Sequence, residues 1–346
     1  MSSKTTLRII QVGLGGWGRD WYRRRLKPEK WVDVVAHVDQ SPDALTLAQR
    51  DAEVPADRCF TSMDEALAAT DAEAVLVTAS LPGHAPASSA ALAAGKHVLM
   101  EKPFAPSVAD ARSLAKQARE AGRLLMISQN YRYFPAPQRV AQIVSSGELG
   151  RLGVVHLDFR RGNVGYDERR TRHYALDNPL LADMAIHHFD LIRMVTGADA
   201  KRVRCHSFNP PWSSFRDDPA AEAVIDMENE IVVTYRGSWV SQGPITAWAG
   251  EWRLEFERGE VWFTSRGDMD RDVDEVWVRR DGGKAKREKL PGMDALDRTG
   301  SLRDFAACIR DGREPGTVGE ANIGSIGLTY AAIEAARIGG WVDVER

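Results

Sequence analysis

Length, composition and charge set the first limits. The chain has 346 residues, enough for two domains, and its 43% hydrophobic and 27% charged residues are ordinary for a globular protein. Its 46 basic and 49 acidic side chains give a net charge of −3, so there is no electrostatic reason to expect nucleic acid or an anionic membrane as a partner. The three cysteines form no zinc motif or disulfide framework, and we find no signal peptide or membrane-length apolar run. We therefore expect a cytoplasmic protein.

The first part of the chain alternates short β-branched runs with alanine-rich stretches. Because the strands are apolar, this alternation predicts a parallel sheet covered by helices on both faces. Strands are predicted at 7–13, 32–39, 74–80, 97–103 and 123–130, and helices at 85–96 and 107–122, the latter with Ser107 as N-cap and Gly122 as C-terminal stop.

From about residue 130 the pattern changes to strands in succession, which predicts an open antiparallel sheet. We therefore predict a first domain over residues 1–130 and a second over 131–346. In the second, strands are predicted at 151–162, 201–208 and 275–280, and hairpins at 221–240, about Glu228-Asn229, and at 251–265, about Arg258-Gly259. A short helix and turn is predicted at 134–150, and helices at 180–197, 301–310 and 320–337.

A glycine-rich turn follows the first predicted strand. "VGLGGWG" carries the G-x-G-x-x-G spacing of dinucleotide-binding loops and opens a helix. Gly13 permits the tight turn, Gly15 lets the backbone approach a pyrophosphate, and Gly18 lets helix and strand pack closely. Free N–H groups at the start of the helix would favour the phosphates. The predicted cofactor loop comprises Gly13, Leu14, Gly15, Gly16, Trp17 and Gly18.

Asp39 ends the second predicted strand about twenty residues after the loop. Its carboxylate would accept hydrogen bonds from the ribose hydroxyls of an adenosine and would repel a 2′-phosphate. The next residues, Gln40 and Ser41, are not cationic, and Gln40 is predicted to border the cofactor with Asp39. The sequence therefore predicts NAD, with NADP less favoured.

The stretch "LLADMAIHHFDLIRMVTG" (180–197) places acids and imidazoles in a predicted apolar helix. At about 100° per residue, Asp183, His187 and Asp190 share one stripe, whereas His188 falls among apolar residues. We predict that His188 is a core histidine satisfied by a backbone carbonyl. His187, one turn from Asp183, suits a proton carrier, with a salt-bridge network as the alternative. No metal site is predicted, because three residues over more than two turns do not converge on one ion.

Lys102, in "MEKPF", ends a predicted parallel strand, at the edge where open α/β sheets bind ligands. A lysine there could stabilise a developing alkoxide, and a surface lysine in a turn is the alternative.

Four features together resemble the glucose–fructose oxidoreductase, inositol dehydrogenase and rhizopine-catabolism (Gfo/Idh/MocA) family. They are the glycine loop, "AALAAGKHVLMEKP", "QNYRYFP" and Asp183-x-x-x-His187, and the likeness covers nearly the whole chain. The resemblance implies a Rossmann domain followed by an α+β domain with a large, open, mostly antiparallel sheet. It also implies an NAD(P)-dependent reaction on sugars or cyclitols, and a homodimer or homotetramer formed through the outer face of that sheet.

The resemblance assigns the catalytic roles to Lys102, Asp183 and His187. Arg132 matches a position that often reaches substrate. The positions that match residues bordering the cofactor are Ser80, Leu81, His84, Glu101 and Lys102.

Further substrate contacts are expected from the residues themselves. The polar loop 160–174, beginning at Arg160, precedes the helix that carries His187. Trp248 lies in a predicted loop, where its indole could stack on a sugar, while Trp252 lies in a strand and is expected to pack the sheet.

The predicted reaction is hydride transfer between a secondary hydroxyl of a sugar, cyclitol or glycoside and the nicotinamide. His187 would remove the hydroxyl proton, Lys102 would polarise the oxygen, and Asp183 would hold His187 or a neighbouring hydroxyl. One alternative is a glycosidase or lyase that uses bound NAD for transient oxidation at C3 of a glycoside. Another is an NAD-responsive regulatory protein, against which the presence of Lys102 and His187 argues.

Overall fold

The computed structural model describes residues 6–162, 171–268 and 273–346, and the chain divides into two compact units. Unit 1 comprises the residues up to Gln129 together with Arg298–Ile323, and unit 2 comprises Asn130–Asp297 and Gly324–Arg346. The predicted boundary near residue 130 lies at the first break. The assignment of all of 131–346 to the second domain is wrong for Arg298–Ile323. This segment joins unit 1 because the Ile127 amide donates to the Thr317 carbonyl at 2.9 Å, beside a bridge from Met126 to Val318.

Unit 1 is built on a parallel sheet with the strand order β3-β2-β1-β4-β5-β6 in the described part of the chain. This order is typical of a doubly wound dinucleotide-binding sheet, in which the chain reverses direction between β1 and β4. The strands are short and nearly all buried, as expected for a sheet covered on both faces. They are β1 (Leu7–Val12), β2 (Val32–Val38), β3 (Cys59–Phe60), β4 (Ala74–Val77), β5 (His97–Met100) and β6 (Leu125–Ile127).

The helices of unit 1 follow the strands as the sequence predicts. The last of them before β6 begins where Ser107 accepts a hydrogen bond from the Asp110 amide at 3.1 Å and ends at Gly122, whose φ is +61°, so both predicted caps are confirmed. The helices are α1 (Gly16–Trp21), continued by the π-helical segment Tyr22–Leu26, then α2 (Pro42–Ala52), α3 (Met63–Ala69), α4 (Leu81–Ala93) and α5 (Val108–Ala121).

Unit 2 contains a larger sheet with the order β14-β13-β12-β11-β7-β10-β9-β8-β15 among the described residues. Of the strand pairs formed by the described residues of this sheet, only β7 and β10 are parallel, so the predicted open, mostly antiparallel sheet is confirmed. The strands are β7 (Leu152–Arg160), β8 (Ala200–Phe208), β9 (Ala220–Met227), β10 (Val232–Ser238), β11 (Glu251–Phe256), β12 (Gly259–Thr264), β13 (Glu275–Arg280), β14 (Lys286–Arg287) and β15 (Trp341–Asp343).

One face of this sheet packs on helices and the other carries polar side chains. Leu157 and Phe159 of β7 are buried in a core that also includes Phe189, and the Phe159 ring lies 4.9 Å from that of His188. His156 and Asp158, which alternate with them, lie on the opposite, outer face. The helices that follow β6 and belong to unit 2 are α6 (Pro135–Ser146), α7 (Thr171–Tyr174) and α8 (Ile186–Thr196). From Arg298 onwards α9 (Asp297–Asp311) belongs to unit 1, and α10 (Gly319–Ile338) begins in unit 1 and continues in unit 2 from Gly324.

The predicted helix over 180–197 is not one regular α-helix. Residues Pro179–Ala185 form a π-helical segment, and α8 continues from Ile186 to Thr196 and ends at Gly197 with φ +65°. The wider π turn changes the rotation per residue, so the 100° rule does not place Asp183 correctly relative to α8.

In the described ranges no helix is both long enough and apolar enough to cross a bilayer.

Candidate active site

The glycine loop lies between β1 and α1 in unit 1. A Cβ on Gly13, whose φ is +92°, would lie 2.3 Å from the Ala79 nitrogen, and one on Gly18 would lie 1.9 Å from the Gly13 oxygen. A Cβ on Gly15 would meet no described atom within 4 Å. Gly13 and Gly18 are therefore required by close packing within the fold. Gly15 borders open space in which the pyrophosphate of a cofactor can approach the protein backbone.

A buried polar network supports the loop from below. Gln11 donates to the Gly18 carbonyl at 2.7 Å, and the Thr78 hydroxyl donates to the Gly13 carbonyl at 2.7 Å. His37 lies 3.2 Å from the Gln11 side-chain oxygen, and burial lowers the pKa of His37 to about 3. The sequence analysis missed these residues, although a polar side chain within an apolar strand was a signal for each.

Asp39 follows β2 and binds the loop directly. Its Oδ2 accepts a hydrogen bond from the Leu14 amide at 2.7 Å, and its Oδ1 accepts one from the Ser41 amide at 2.9 Å. Gln40, beside it, is exposed. The carboxylate thus lies at the end of β2 next to the glycine loop, where an acidic group favours unphosphorylated ribose.

His84 links two loops at the carboxyl edge of the parallel sheet. Its Nδ1 lies 2.8 Å from the Pro103 carbonyl oxygen and its Nε2 lies 3.0 Å from the Ala79 carbonyl oxygen. Burial lowers the pKa of this imidazole. His84 therefore holds the turn that contains Lys102 against the segment that follows β4. Its predicted contact with the cofactor stays a prediction.

Glu101, predicted to border the cofactor, is buried within unit 1. It accepts a hydrogen bond from the Trp21 indole at 2.6 Å, and burial raises the pKa of its carboxyl group. Ser80 is the N-cap residue of α4 and Leu81 is its first residue, at the same carboxyl edge of the sheet as Lys102. The cofactor contacts of these residues stay predictions.

Trp17, in the glycine loop, is half-exposed and packs on an arginine from the segment that returns to unit 1. The Arg298 guanidinium carbon lies 4.2 Å from the Trp17 ring centroid and 5.2 Å from that of Trp21. Arg298 also forms an ion pair with Asp20 at 2.5 Å. This contact could not be predicted, because it joins positions far apart in the chain.

In unit 2, the buried imidazole of His187 stacks on the ring of Tyr131. The ring centroids lie 4.1 Å apart with 7° between the planes. Arg266 donates from Nη1 to the Tyr131 hydroxyl at 2.9 Å, and its guanidinium carbon lies 4.3 Å from the ring centroid. Burial raises the pKa of Tyr131 to about 12. Tyr131 and Arg266 were not predicted, although Tyr131 lies within the quoted "QNYRYFP".

The stripe predicted on 180–197 divides into two environments. Asp183 is 41% exposed at its side chain, with its Oδ2 3.8 Å from the Nε2 of His173. Asp190 is 1% exposed and accepts hydrogen bonds from Nε and Nη2 of Arg132 at 2.6 and 2.8 Å and from Ser325 at 2.8 Å. The prediction that Asp190 shares one stripe with Asp183 is therefore wrong. The ion pair gives Arg132 a structural role, and its contact with substrate stays a prediction.

His188 and Trp252 are both core residues, as predicted. His188 is fully buried with its Nε2 2.9 Å from the Trp248 carbonyl oxygen, and burial lowers its pKa to about 4. Trp252 is buried, donates to the Ala249 carbonyl at 2.6 Å and stacks on Phe263 in the sheet.

Two consecutive arginines at the end of β7 lie on different faces of the sheet. Arg160 pairs with Asp158 and donates to Glu251 at 2.9 Å on the outer face. The substrate contact predicted for Arg160 is wrong. Strand alternation turns the Arg160 side chain away from the helix that carries His187. Arg161 is buried, and its guanidinium carbon lies 3.8 Å from the Trp248 ring centroid. Residues 163–170 of the predicted loop lie outside the described residues.

Trp248 has a defined polar partner. Its indole donates to Asp268 Oδ1 at 2.7 Å, while Arg161 covers its ring. Its predicted role as a stacking surface for substrate stays a prediction.

Within the described part of the chain, no group of three His, Cys, Asp or Glu side chains is arranged to hold a metal ion.

Two family models match the chain. The oxidoreductase family with an NAD-binding Rossmann fold (Gfo/Idh/MocA) matches residues 7–129, and the Gfo/Idh/MocA C-terminal domain matches residues 137–261. A 4-carboxy-2-hydroxymuconate-6-semialdehyde dehydrogenase from Sphingobium sp. is 28% identical over 326 residues, which cover 89% of this chain and 92% of that protein.

Solved structures share the fold. An oxidoreductase from Agrobacterium radiobacter in complex with NAD+, L-tartaric acid and magnesium has a TM-score of 0.83 at 19% identity, with 98% of each chain covered. An inositol dehydrogenase homologue from Azotobacter vinelandii, complexed with NADH and myo-inositol, has a TM-score of 0.82 at 18% identity, again with 98% of each covered.

These matches agree with the strand order, the glycine loop and Asp39, all of which suit NAD. The predicted fold class and cofactor are therefore confirmed. The chain belongs to the Gfo/Idh/MocA family of NAD-binding oxidoreductases.

Proposed function

We propose that the protein is an NAD-dependent oxidoreductase that interconverts a secondary hydroxyl and a carbonyl on a sugar, cyclitol or glycoside. The observation that carries the proposal is the buried His187 of unit 2, whose ring lies flat against Tyr131, in a chain whose residues 7–129 match the NAD-binding Rossmann family model. A ring fixed by stacking is oriented for proton transfer, which favours a general base over a structural histidine.

We assign His187 the removal of the hydroxyl proton and Lys102 the stabilisation of the developing alkoxide. Asp183 positions His187 or a neighbouring substrate hydroxyl. A bound nicotinamide would supply the acceptor for the hydride of the carbinol carbon. Base assistance of this kind contributes on the order of 10²–10⁴-fold, and fixed positive charge adds to it.

The sugar-like substrate is supported by relatives. The Azotobacter vinelandii structure contains myo-inositol, and an inositol 2-dehydrogenase from Burkholderia lata is 32% identical over 199 residues. Both names refer to inositol, a cyclitol. We therefore expect a compound with several neighbouring hydroxyl groups.

Turnover tests this proposal. Purified protein is incubated with NAD and a panel of sugars, cyclitols and glycosides, and NADH and organic products are quantified together. We expect one NADH for each hydroxyl oxidised. Release of a sugar from a glycoside without net NADH would instead support transient oxidation. NAD binding without any turnover across the panel would support a regulatory protein.

We also propose a homodimer or homotetramer formed through the outer face of the unit 2 sheet. This face carries the stacked pair Trp262 and Trp277, with ring centroids 6.1 Å apart, beside ion pairs such as Arg236–Asp158. Aromatic residues and arginine are enriched at protein interfaces. Light scattering of the purified protein tests the state, and a monomer at micromolar concentration would contradict it.

A further inference from the structure

Two arginines lie near His187 in unit 2, and the proposed hydride transfer uses neither of them. Arg266 donates to the hydroxyl of Tyr131, on which His187 stacks. The guanidinium carbons of Arg161 and Arg266 lie 3.8 and 5.6 Å from the ring centroid of Trp248. One connected cluster therefore contains the proposed base and two guanidinium groups.

Arg161 is held with part of its hydrogen-bonding capacity unused. Its side chain is 8% exposed, and its Nη1 lies 3.4 Å from both carboxylate oxygens of Asp268. Its Nε and Nη2 are buried and have no hydrogen-bond partner among the described residues. A buried donor without an acceptor is destabilising, and a buried guanidinium more so.

The two donor atoms of Arg161 that lack a partner among the described residues, Nε and Nη2, have a defined geometry. The Nε–H and one N–H of Nη2 point in the same direction, along one edge of the planar guanidinium. This edge matches the two oxygens of a carboxylate, which it binds by two parallel hydrogen bonds. A single hydroxyl would satisfy only one of these donors.

The carboxylates already present do not occupy this edge. The Asp268 carboxylate also accepts a hydrogen bond from the Trp248 indole at 2.7 Å, and the Asp268 side chain is 55% exposed. The Arg266 side chain pairs with Asp297, whose Oδ1 lies 3.8 Å from the Arg266 Nε and also accepts a hydrogen bond from Asn130. Both pairs are longer than the 2.7–2.9 Å of a close charged hydrogen bond.

We propose that the substrate carries a carboxylate, which the Nε and Nη2 edge of Arg161 binds while His187 deprotonates a hydroxyl of the same molecule. The substrate class is then a polyhydroxylated acid, such as an aldonic acid, a uronic acid or a carboxylated cyclitol. This inference rests on the proposed function, because it takes His187 as the site of reaction.

Matched pairs of probes test the carboxylate separately from turnover. D-gluconate and D-glucitol differ at one end by a carboxylate against a hydroxymethyl group, and D-glucuronate is compared with D-glucose. Each is titrated calorimetrically into the full-length protein saturated with NADH, which cannot accept a hydride from the probe, and NADH formation from NAD is measured in a separate assay. We expect at least one acid to bind about 10–100-fold more tightly than its neutral partner.

Variants locate the binding group. We expect Arg161→Gln to remove most of that preference and leave binding of the neutral partner within about 3-fold. Arg161→Lys keeps the charge but lacks the two-donor edge, so it should retain only part of the preference. Arg337→Gln, at an exposed arginine paired with Glu334 on α10, is the matched control and should change the affinity for neither partner. Thermal unfolding of each variant verifies that it is folded.

The outcomes separate the two proposals. Acid preference that depends on Arg161, without NADH formation from any probe, keeps the carboxylate site and overturns the proposed oxidoreductase reaction. NADH formation from neutral sugars with no acid preference keeps the reaction and overturns the carboxylate site. Saturable binding of neither acid, or an equal loss for acid and neutral partner in Arg161→Gln, also overturns it.

Discussion

The imidazole of His187 and the phenol of Tyr131 lie parallel, with 7° between their planes and 4.1 Å between their centroids. We expect Tyr131→Ala to lower kcat/KM by about 10–100-fold, because a base displaced by about 1 Å loses much of its rate advantage. Tyr131→Phe keeps the stacking and should stay within about 5-fold of wild type. Steady-state kinetics at saturating NAD measure both. An alanine variant with unchanged kcat/KM would show that the stacking does not position the base.

The glycines of the cofactor loop should respond differently to one added methyl group. Gly15 has φ −58° and open space at its Cβ, so Gly15→Ala should fold normally and bind NAD at least about 10-fold more weakly. Gly18→Ala places its Cβ 1.9 Å from the Gly13 oxygen and should lower the melting temperature even without NAD. Thermal unfolding with and without NAD distinguishes the two. Equal effects on stability would contradict this division.

Asp39 should determine the choice between the two dinucleotides. Asp39→Ser removes the negative charge that accepts from the Leu14 amide and that opposes a 2′-phosphate. We expect kcat/KM for NAD to fall by about 10–100-fold, since hydrogen bonds to charged groups contribute about 1.5–3 kcal/mol. The ratio of kcat/KM for NADP to that for NAD should rise. A ratio unchanged from wild type would assign Asp39 to loop structure alone.

The ion pair between Asp190 and Arg132 should contribute to stability through pairing of buried charge. Asp190→Leu leaves the Arg132 guanidinium, 13% exposed, without its carboxylate and should lower the free energy of unfolding by about 3–5 kcal/mol. The double variant Asp190→Leu/Arg132→Met should recover much of that loss. Urea unfolding of the two single variants and the double variant measures the coupling. Additive losses would show that the two charges do not stabilise each other.

Acid should destabilise the protein through His188. Burial lowers the pKa of His188 from 6.5 to about 4, so the unfolded chain takes up a proton at higher pH than the folded one. The stability due to neutral His188 is therefore complete above pH 6.5 and decreases as pH falls towards 4, by up to about 3 kcal/mol. His188→Gln should flatten the stability profile in this window. A stability profile for His188→Gln that falls as steeply as that of the wild type between pH 6.5 and 4 would exclude this assignment.

Much of the fold could be predicted because the two halves of the chain carry different periodicities. Short buried runs separated by helices predict the parallel sheet of unit 1, and alternating strands predict the sheet of unit 2. The return of Arg298–Ile323 to unit 1 could not be predicted, because it depends on a pairing with β6 between segments far apart in sequence.

The site was less predictable, because small changes in local geometry redirect whole side chains. The π-helical turn before α8 separates Asp183 from the position that a regular helix assigns. The side of the sheet on which Arg161 lies could be predicted from the sequence. Leu157 and Phe159 are apolar and face the core, and the same alternation turns residue 161 inward. Arg266 carried no such signal, since its contact with Tyr131 joins two distant segments.

The proposed NAD-dependent oxidation assigns the proton transfer to His187 and the stabilisation of negative charge to Lys102. Its most direct test is the rate of NADH formation by His187→Ala and Lys102→Ala with the best substrate, with NAD affinity measured in parallel. We predict that each variant loses at least about 100-fold in kcat, and that His187→Ala binds NAD as wild type does. Turnover by either variant at close to the wild-type rate would contradict this assignment.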